Sequence, residues 1–195
     1  IGTKDYGSDD GLFDCPLGLA FDHHRGLLLV VDTFNHRVQV FSCDDDDGGS
    51  FVSKFGEEGE GPGQFQNPDG IAIDHDHDRI LIVDSGNNRI QSWSLSDQSF
   101  LSCIGHRGSG DVEFEHPQGI AIDKHHHRII IADTNNYRLV FLSSIDLSFL
   151  FSVGIKGSQP CEFYHPSGVA IDDDRHRIIV TDTLNNRVQV LSSID

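Results

Sequence analysis

Short apolar runs, each closed by turn residues, recur along this chain with the spacing of strands and not of helices. Three kinds follow one another: GIAID (first at Gly70), RIIIAD (at Arg128) and RVQVF (at Arg37). All are rich in β-branched residues, which suit a pleated, half-buried surface. The third alternates most clearly, with Val38 and Val40 on one face and Gln39 and Phe41 on the other. After a polar loop comes a fourth run: Phe51–Phe55, Phe100–Ile104 and Phe149–Val153. No segment carries a convincing helical period.

The runs belong to a repeat. PLGLAFD at Pro16 returns as PDGIAID at Pro68, PQGIAID at Pro117 and PSGVAID at Pro166. DTFNHR at Asp32 keeps step with it, returning at Asp84, Asp133 and Asp182. Four short antiparallel strands in a period of roughly 50 residues predict a propeller blade. The expected fold is therefore an all-β propeller over residues 1–195, with blades at about 16–56, 68–105, 117–154 and 166–195. The last unit stops where its fourth strand should begin, so this blade is expected to have only three strands. Terminal blades would then present open edges, which two copies of the chain could complete for each other as a homodimer. The chain holds no methionine, and its opening Ile1-Gly2 matches the end of a repeat (Phe55-Gly56), so it reads as an excised piece of a longer protein.

Linkers between units are glycine-rich, as at Gly56, Gly59, Gly61 and Gly63, and carry a phenylalanine three residues before the proline: Phe13, Phe65, Phe114 and Phe163. These rings are expected to pack between blades. Trp93, in a third strand, is expected in the same core. The D-x-x-N-x-R turn joins second and third strands. Its Asn tolerates left-handed backbone, its Asp accepts turn amides, and its Arg can reach back to the carboxylate. Asp32, Arg37, Asp84, Arg89, Asp133, Arg138, Asp182 and Arg187 are thus read as structural. Together these phrases resemble NHL repeats, whose pattern G-x-x-G-x-x-x-x-x-F-x-x-P-x-G-I-A-x-D … D-x-x-N-x-R-V-Q-V-F runs through essentially the whole chain. The resemblance implies a propeller used as an interaction platform, often the carboxy-terminal part of a tripartite-motif ubiquitin ligase, in other cases a sensor domain or an RNA binder. The family usually closes with six blades, and four units are present here.

The net charge of −17 narrows the partners. Most arginines sit at repeat positions (the four of the turns, with Arg79, Arg128 and Arg177), leaving Arg25, Arg107, Arg175 and the lysines for any basic patch. Nucleic-acid binding requires several phosphates to be neutralised at once, so a protein partner is expected. No apolar stretch is long enough to span a membrane. The cysteines Cys15, Cys43, Cys103 and Cys161 show no CxxC spacing and are read as free thiols of a cytoplasmic, reducing compartment.

Catalytic motifs are absent: there is no G-x-S-x-G elbow, no P-loop and no HExxH. Asp22, Asp74, Asp123 and Asp172 end the first strand of every unit, and none stands out as a catalytic acid. Most histidines cluster in the turns between first and second strands: His23 and His24, His75 and His77, His125 to His127, and His176. Imidazole with carboxylate suits zinc, nickel or copper. The plainer reading is a set of solvated turns with adventitious affinity, so no catalytic residue, cofactor or specific metal is expected.

The units differ at the two variable positions of the D-x-x-N-x-R turn and in their linkers. Phe34, His36, Asn88, Arg107, Tyr137, Lys156, Leu184 and Asn186 are the candidate partner-binding residues. The expected function is a non-enzymatic protein-interaction scaffold working through this turn face. One alternative is single-stranded RNA binding, with Tyr137 and Phe34 stacking bases; another is a metal-dependent lyase or hydrolase.

Overall fold

The computed structural model of the chain describes residues 1–2, 5–43 and 49–192. The first sheet has the order β1 (Pro16–Asp22), β2 (Leu27–Asp32), β3 (Arg37–Ser42), β4 (Ser50–Phe55). Two short parallel strands in the linker, β5 (Glu57–Glu58) and β6 (Gln64–Phe65), lead into the second sheet of β7 (Pro68–Asp74), β8 (Arg79–Asp84), β9 (Arg89–Ser94) and β10 (Phe100–Ile104). Another parallel pair, β11 (His106–Arg107) with β12 (Glu113–Phe114), precedes the third sheet. That sheet runs β13 (Ile120–Asp123), β14 (Arg128–Asp133), β15 (Arg138–Ser143), β16 (Phe149–Val153). The fourth holds β17 (Pro166–Asp172), β18 (Arg177–Asp182) and β19 (Arg187–Ser192), three strands among the described residues.

The protein is thus all-β, with four antiparallel blades of a β-propeller, as the repeat predicts. Among the described residues no helix is long and apolar enough to cross a membrane. The parallel pairs were not predicted. In each linker the chain doubles back, and the third holds the equivalent bridge between Lys156 and Phe163.

Two compact units contain these sheets, residues Ile1–Asn87 with Gln91–Ser102, and Asn88–Ile90 with Cys103–Asp195. In the first, Leu29, Val31, Val38 and Val40 of one sheet pack against Ile71, Ile80, Ile82 and Trp93 of the next. In the second, Ile130, Ala132, Leu139 and Phe141 pack in the same way against Ile178 and Val180. Alternation along each strand supplies both faces, so the core lies between sheets.

The linker phenylalanines fill this layer as expected. Phe65, Phe114 and Phe163 are fully buried, while Phe13 is only half-buried. Phe65 stacks on Trp93 with centroids 5.5 Å apart, and Trp93 also meets Phe55 and Phe100. Each ring lies over the glycine that ends a fourth strand. A side chain at Gly56, φ +88°, would run into Phe65. The glycine of the P-x-G phrase has another role, because the neighbouring blade comes closest there. A Cβ on Gly18 would strike the Asp69 carbonyl, and one on Gly119 the Ser167 carbonyl.

Phe65→Ala removes a fully buried ring from the layer between two sheets. It is expected to cost about 3–5 kcal/mol, read as a lower urea midpoint by Trp93 fluorescence, since the indole loses its stacking partner.

Candidate functional site

The turn between second and third strands is organised by its aspartate. Asp32, removed from water, accepts the Asp14 amide at 2.7 Å, Asn35 Nδ2 at 3.0 Å, Arg37 Nε at 2.8 Å and Gln39 Nε2 at 3.0 Å. Asp182 repeats the set with the Tyr164 amide, Asn185, Arg187 and Gln189. Asp84 takes the Gln66 amide, Asn87 and Gln91. Asp133 takes the Glu115 amide, Asn136 and Arg138, but Val140 stands where the others have glutamine.

Two of these aspartates differ in acidity. Burial pushes Asp182 up, but the Tyr164 amide, Asn185, Arg187 and Gln189 outweigh it and hold the carboxyl below the ordinary range. At Asp133 burial wins over the three donors, and the carboxyl sits above it. The arginines also bind the linker: Arg37 donates to the carbonyls of Ser8, Asp9 and Leu12, and Arg187 to those of Ser158, Gln159 and Glu162. Asp32 with Arg37, Asp133 with Arg138 and Asp182 with Arg187 therefore have structural work in the geometry itself.

The second variable position of the turn is left-handed in every unit, at His36, Asn88, Tyr137 and Asn186 (φ 53°, 55°, 58° and 53°). Two of these side chains serve the fold. Asn88 is buried with its Oδ1 accepting the His116 amide at 2.8 Å, and His36 Nδ1 accepts the Asn67 amide at 3.1 Å. Phe34 and Leu184, at the first variable positions, are 55% and 50% exposed. Arg107 is exposed but forms a bidentate pair with Glu115.

Tyr137 is different. Left-handed backbone is costly for a bulky residue, yet here it sets the ring 5.8 Å from Tyr164 and 5.4 Å from His165. Lys156 Nζ lies 4.9 Å from the Tyr137 centroid and 4.8 Å from that of Tyr164. A shallow pocket of about 290 Å³ beside them is lined by His116, Gln118, Thr134, Asn135, His165, Thr183 and Leu184. The structure thus brings Tyr137 and Lys156 together and adds Tyr164 and His165, which precede Pro166 and carried no repeat signal.

At the first-strand ends, Asp74 accepts from Arg79 Nε and lies 2.9 Å from His77 Nδ1. Asp123 pairs with Arg128 and His126, and Asp172 with Arg177. Burial pushes Asp123 up, but Arg128 and His126 outweigh it, leaving the carboxyl below its usual value; Arg177 holds Asp172 below it too. The first unit breaks this pattern. Leu27 occupies the arginine position, leaving Asp22 beside His24 and His75. Asp22 thus differs from its three counterparts in the partners it keeps.

Comparison with known proteins follows the same lines. The family described as 6-bladed beta-propeller matches residues 14–114, and the NHL repeat matches residues 163–191. Protein brain tumor of Drosophila melanogaster is 31% identical over 91 residues, covering 46% of this chain and 8% of that protein. Hydrazine synthase of Kuenenia stuttgartiensis superposes over 96% of this chain and 49% of its own, with TM-score 0.67 and 12% identity. A chain of the nidogen/laminin complex does so over 91% and 64%, with TM-score 0.60 and 19% identity. At such identities the solved structures share the fold alone.

Acid should weaken the fold through these carboxylates. Asp123, Asp172 and Asp182 lie below the ordinary 3.8 when folded, so their contribution is complete above that value and is lost as pH falls through the folded values. Asp133, shifted upward, opposes them. The thermal midpoint by circular dichroism should fall steeply below about pH 4. Asp182→Asn should cost roughly 2–3 kcal/mol at neutral pH and shallow that acid limb.

Proposed function

The chain belongs to the six-bladed β-propeller family, and from that premise we propose that it is a non-enzymatic protein-interaction scaffold. Its partner seats on the turn face of the second compact unit, at Tyr137, Tyr164, His165, Lys156 and Leu184. The observation that carries this reading is the ammonium of Lys156 held between two tyrosine rings. Aromatic side chains lose little rotamer entropy on binding, and a pre-set cluster is what an interaction hot spot requires. The pocket beside Leu184 accepts an apolar side chain, and Lys156 offers an acidic group a counter-charge. Phe34 supplies a separate apolar contact on the first unit.

Nucleic acid is a poor occupant. Arg107 is spent on Glu115, Lys54 on Asp10 and Arg175 on Asp172, which leaves few cations for phosphates. Exposed free cysteines suit the cytoplasm.

Selection from a displayed peptide library should enrich segments pairing an apolar residue with a carboxylate. Tyr137→Ala should weaken the enriched peptides at least tenfold while leaving the thermal midpoint nearly unchanged. Equal affinity in Tyr137→Ala and in Phe34→Ala would move the site elsewhere, and retention of an oligouridine probe on filters would favour RNA.

The terminal blades support a second copy as a further partner. Leu19 is 63% exposed on β1 and Val188 58% on β19, whereas Ile71 and Val38 at the corresponding positions are buried against the adjacent sheet. One copy's β19 face and another's β1 face are the two halves of the layer that the chain already builds inside each unit. Light scattering on the eluting protein should show a discrete dimer, which Val190→Asp converts to monomer; a wild-type monomer would refute the pairing.

A further inference from the structure

We propose that Asp22, His24 and His75 form a binding site for a divalent transition metal of the zinc class, joining the first two blades within the first compact unit. The inference starts from the one place where the repeat loses a charge. In the other units the aspartate ending the first strand meets an arginine five residues on, at Arg79, Arg128 and Arg177. Asp22 meets Leu27 instead. Its side chain is buried, as those of Asp74 and Asp123 are, and its Oδ2 has no hydrogen-bond partner. A buried carboxylate oxygen that accepts no hydrogen bond is expensive, and a cation is what relieves it.

Among the described residues the nearest cation does not fill the role. Arg25 Nε lies 3.8 Å from Asp22 Oδ2, beyond hydrogen-bond reach, while its Nη1 donates to the Leu95 carbonyl at 2.5 Å and its Nη2 is 3.8 Å from Asp78. Its side chain is 41% exposed and can turn into water.

Two imidazoles converge on the carboxylate from different turns. His75 Nε2 is 3.8 Å from Asp22 Oδ1, and the His24 and His75 rings have centroids 4.4 Å apart. Asp22 Oδ1 also accepts the His24 amide at 3.0 Å, which fixes the turn relative to the carboxylate. The three ligand atoms lie within 4.8 Å of one another. An ion about 2.1 Å from each ligand places ligand atoms roughly 3.4–4.2 Å apart, so the Asp22–His75 separation already fits. A small rotation of exposed His24 closes the remainder. The surrounding cleft, about 330 Å³, includes Asp76 and Asp78, so a water or a second carboxylate can take the open position.

Two histidines and one carboxylate, with one position left open, is a donor set that zinc accepts, whereas calcium and magnesium ask for oxygen throughout. The other histidine turns lack this opportunity. His77 and His126 are already bonded to Asp74 and Asp123, whose charge is also paired with arginine. His125 stacks on His176.

The test is calorimetric titration of the metal-stripped full chain with zinc and with cobalt, the cobalt complex followed by its visible d–d absorption. One equivalent should bind, with a tetrahedral cobalt spectrum, and zinc should raise the thermal midpoint. His75→Ala should weaken that equivalent at least tenfold, and His125→Ala should leave it intact. Leu27→Arg is the sharper variant, because it installs the pair that three other blades already fold around. It should abolish the metal-dependent rise in midpoint while the protein stays folded. No stoichiometric binding by the wild type would overturn the site. So would affinity unchanged by both His75→Ala and Leu27→Arg, which would mean adventitious binding to surface histidines.

Discussion

In each blade one aspartate, removed from water, accepts hydrogen bonds from the linker amide and from the asparagine of its own turn, and Asp32 and Asp182 accept as well from the arginine and glutamine that follow. Hydrogen bonds to a charged group contribute about 1.5–3 kcal/mol apiece, and here they converge on a single carboxylate. The partners come from separate parts of the repeat, so the carboxylate ties linker, turn and third strand into one body. Arginine extends the tie to the linker carbonyls of Ser8, Asp9 and Leu12. Fourfold recurrence follows from this, because a blade that lost the aspartate would leave several buried donors unsatisfied at once.

Around that anchor the sheets stack through alternate strand residues, and two glycines per repeat decide how closely. One lets the next blade's backbone approach the first strand, as at Gly18 and Gly119. The other lets the linker phenylalanine lie flat on the end of the fourth strand, as at Gly56. These are contacts that no side chain larger than hydrogen allows.

Chemistry appears where the repeat is broken. Val140 stands where the other units place a glutamine donor beside the turn aspartate. Tyr137 takes a left-handed position held elsewhere by asparagine or histidine, and the turn that resulted carries its ring to Tyr164 and Lys156. Leu27 replaces an arginine and leaves a buried carboxylate facing two imidazoles. A solenoid-like array has near-identical units, so a site confined to one of them needs such an exception.

Strand order, blade number, the turn aspartates and the buried phenylalanines were legible in the amino-acid string, because each depends on local periodicity repeated four times. Tyr137, Lys156 and Leu184 were visible too, as departures from the repeat. Asn88 and His36 look identical to them in the string, and only the fold shows their side chains turned to backbone amides. Tyr164 and His165 gave no signal, since their value comes from a ring almost thirty positions earlier in the chain. The loss at Leu27 could be read from the aligned units, but not its consequence. Burial of Asp22 and the approach of His75 from the next blade depend on packing between sheets, which sequence periodicity does not encode. Local pattern determined the blade; tertiary distance decided which of its exceptions meet.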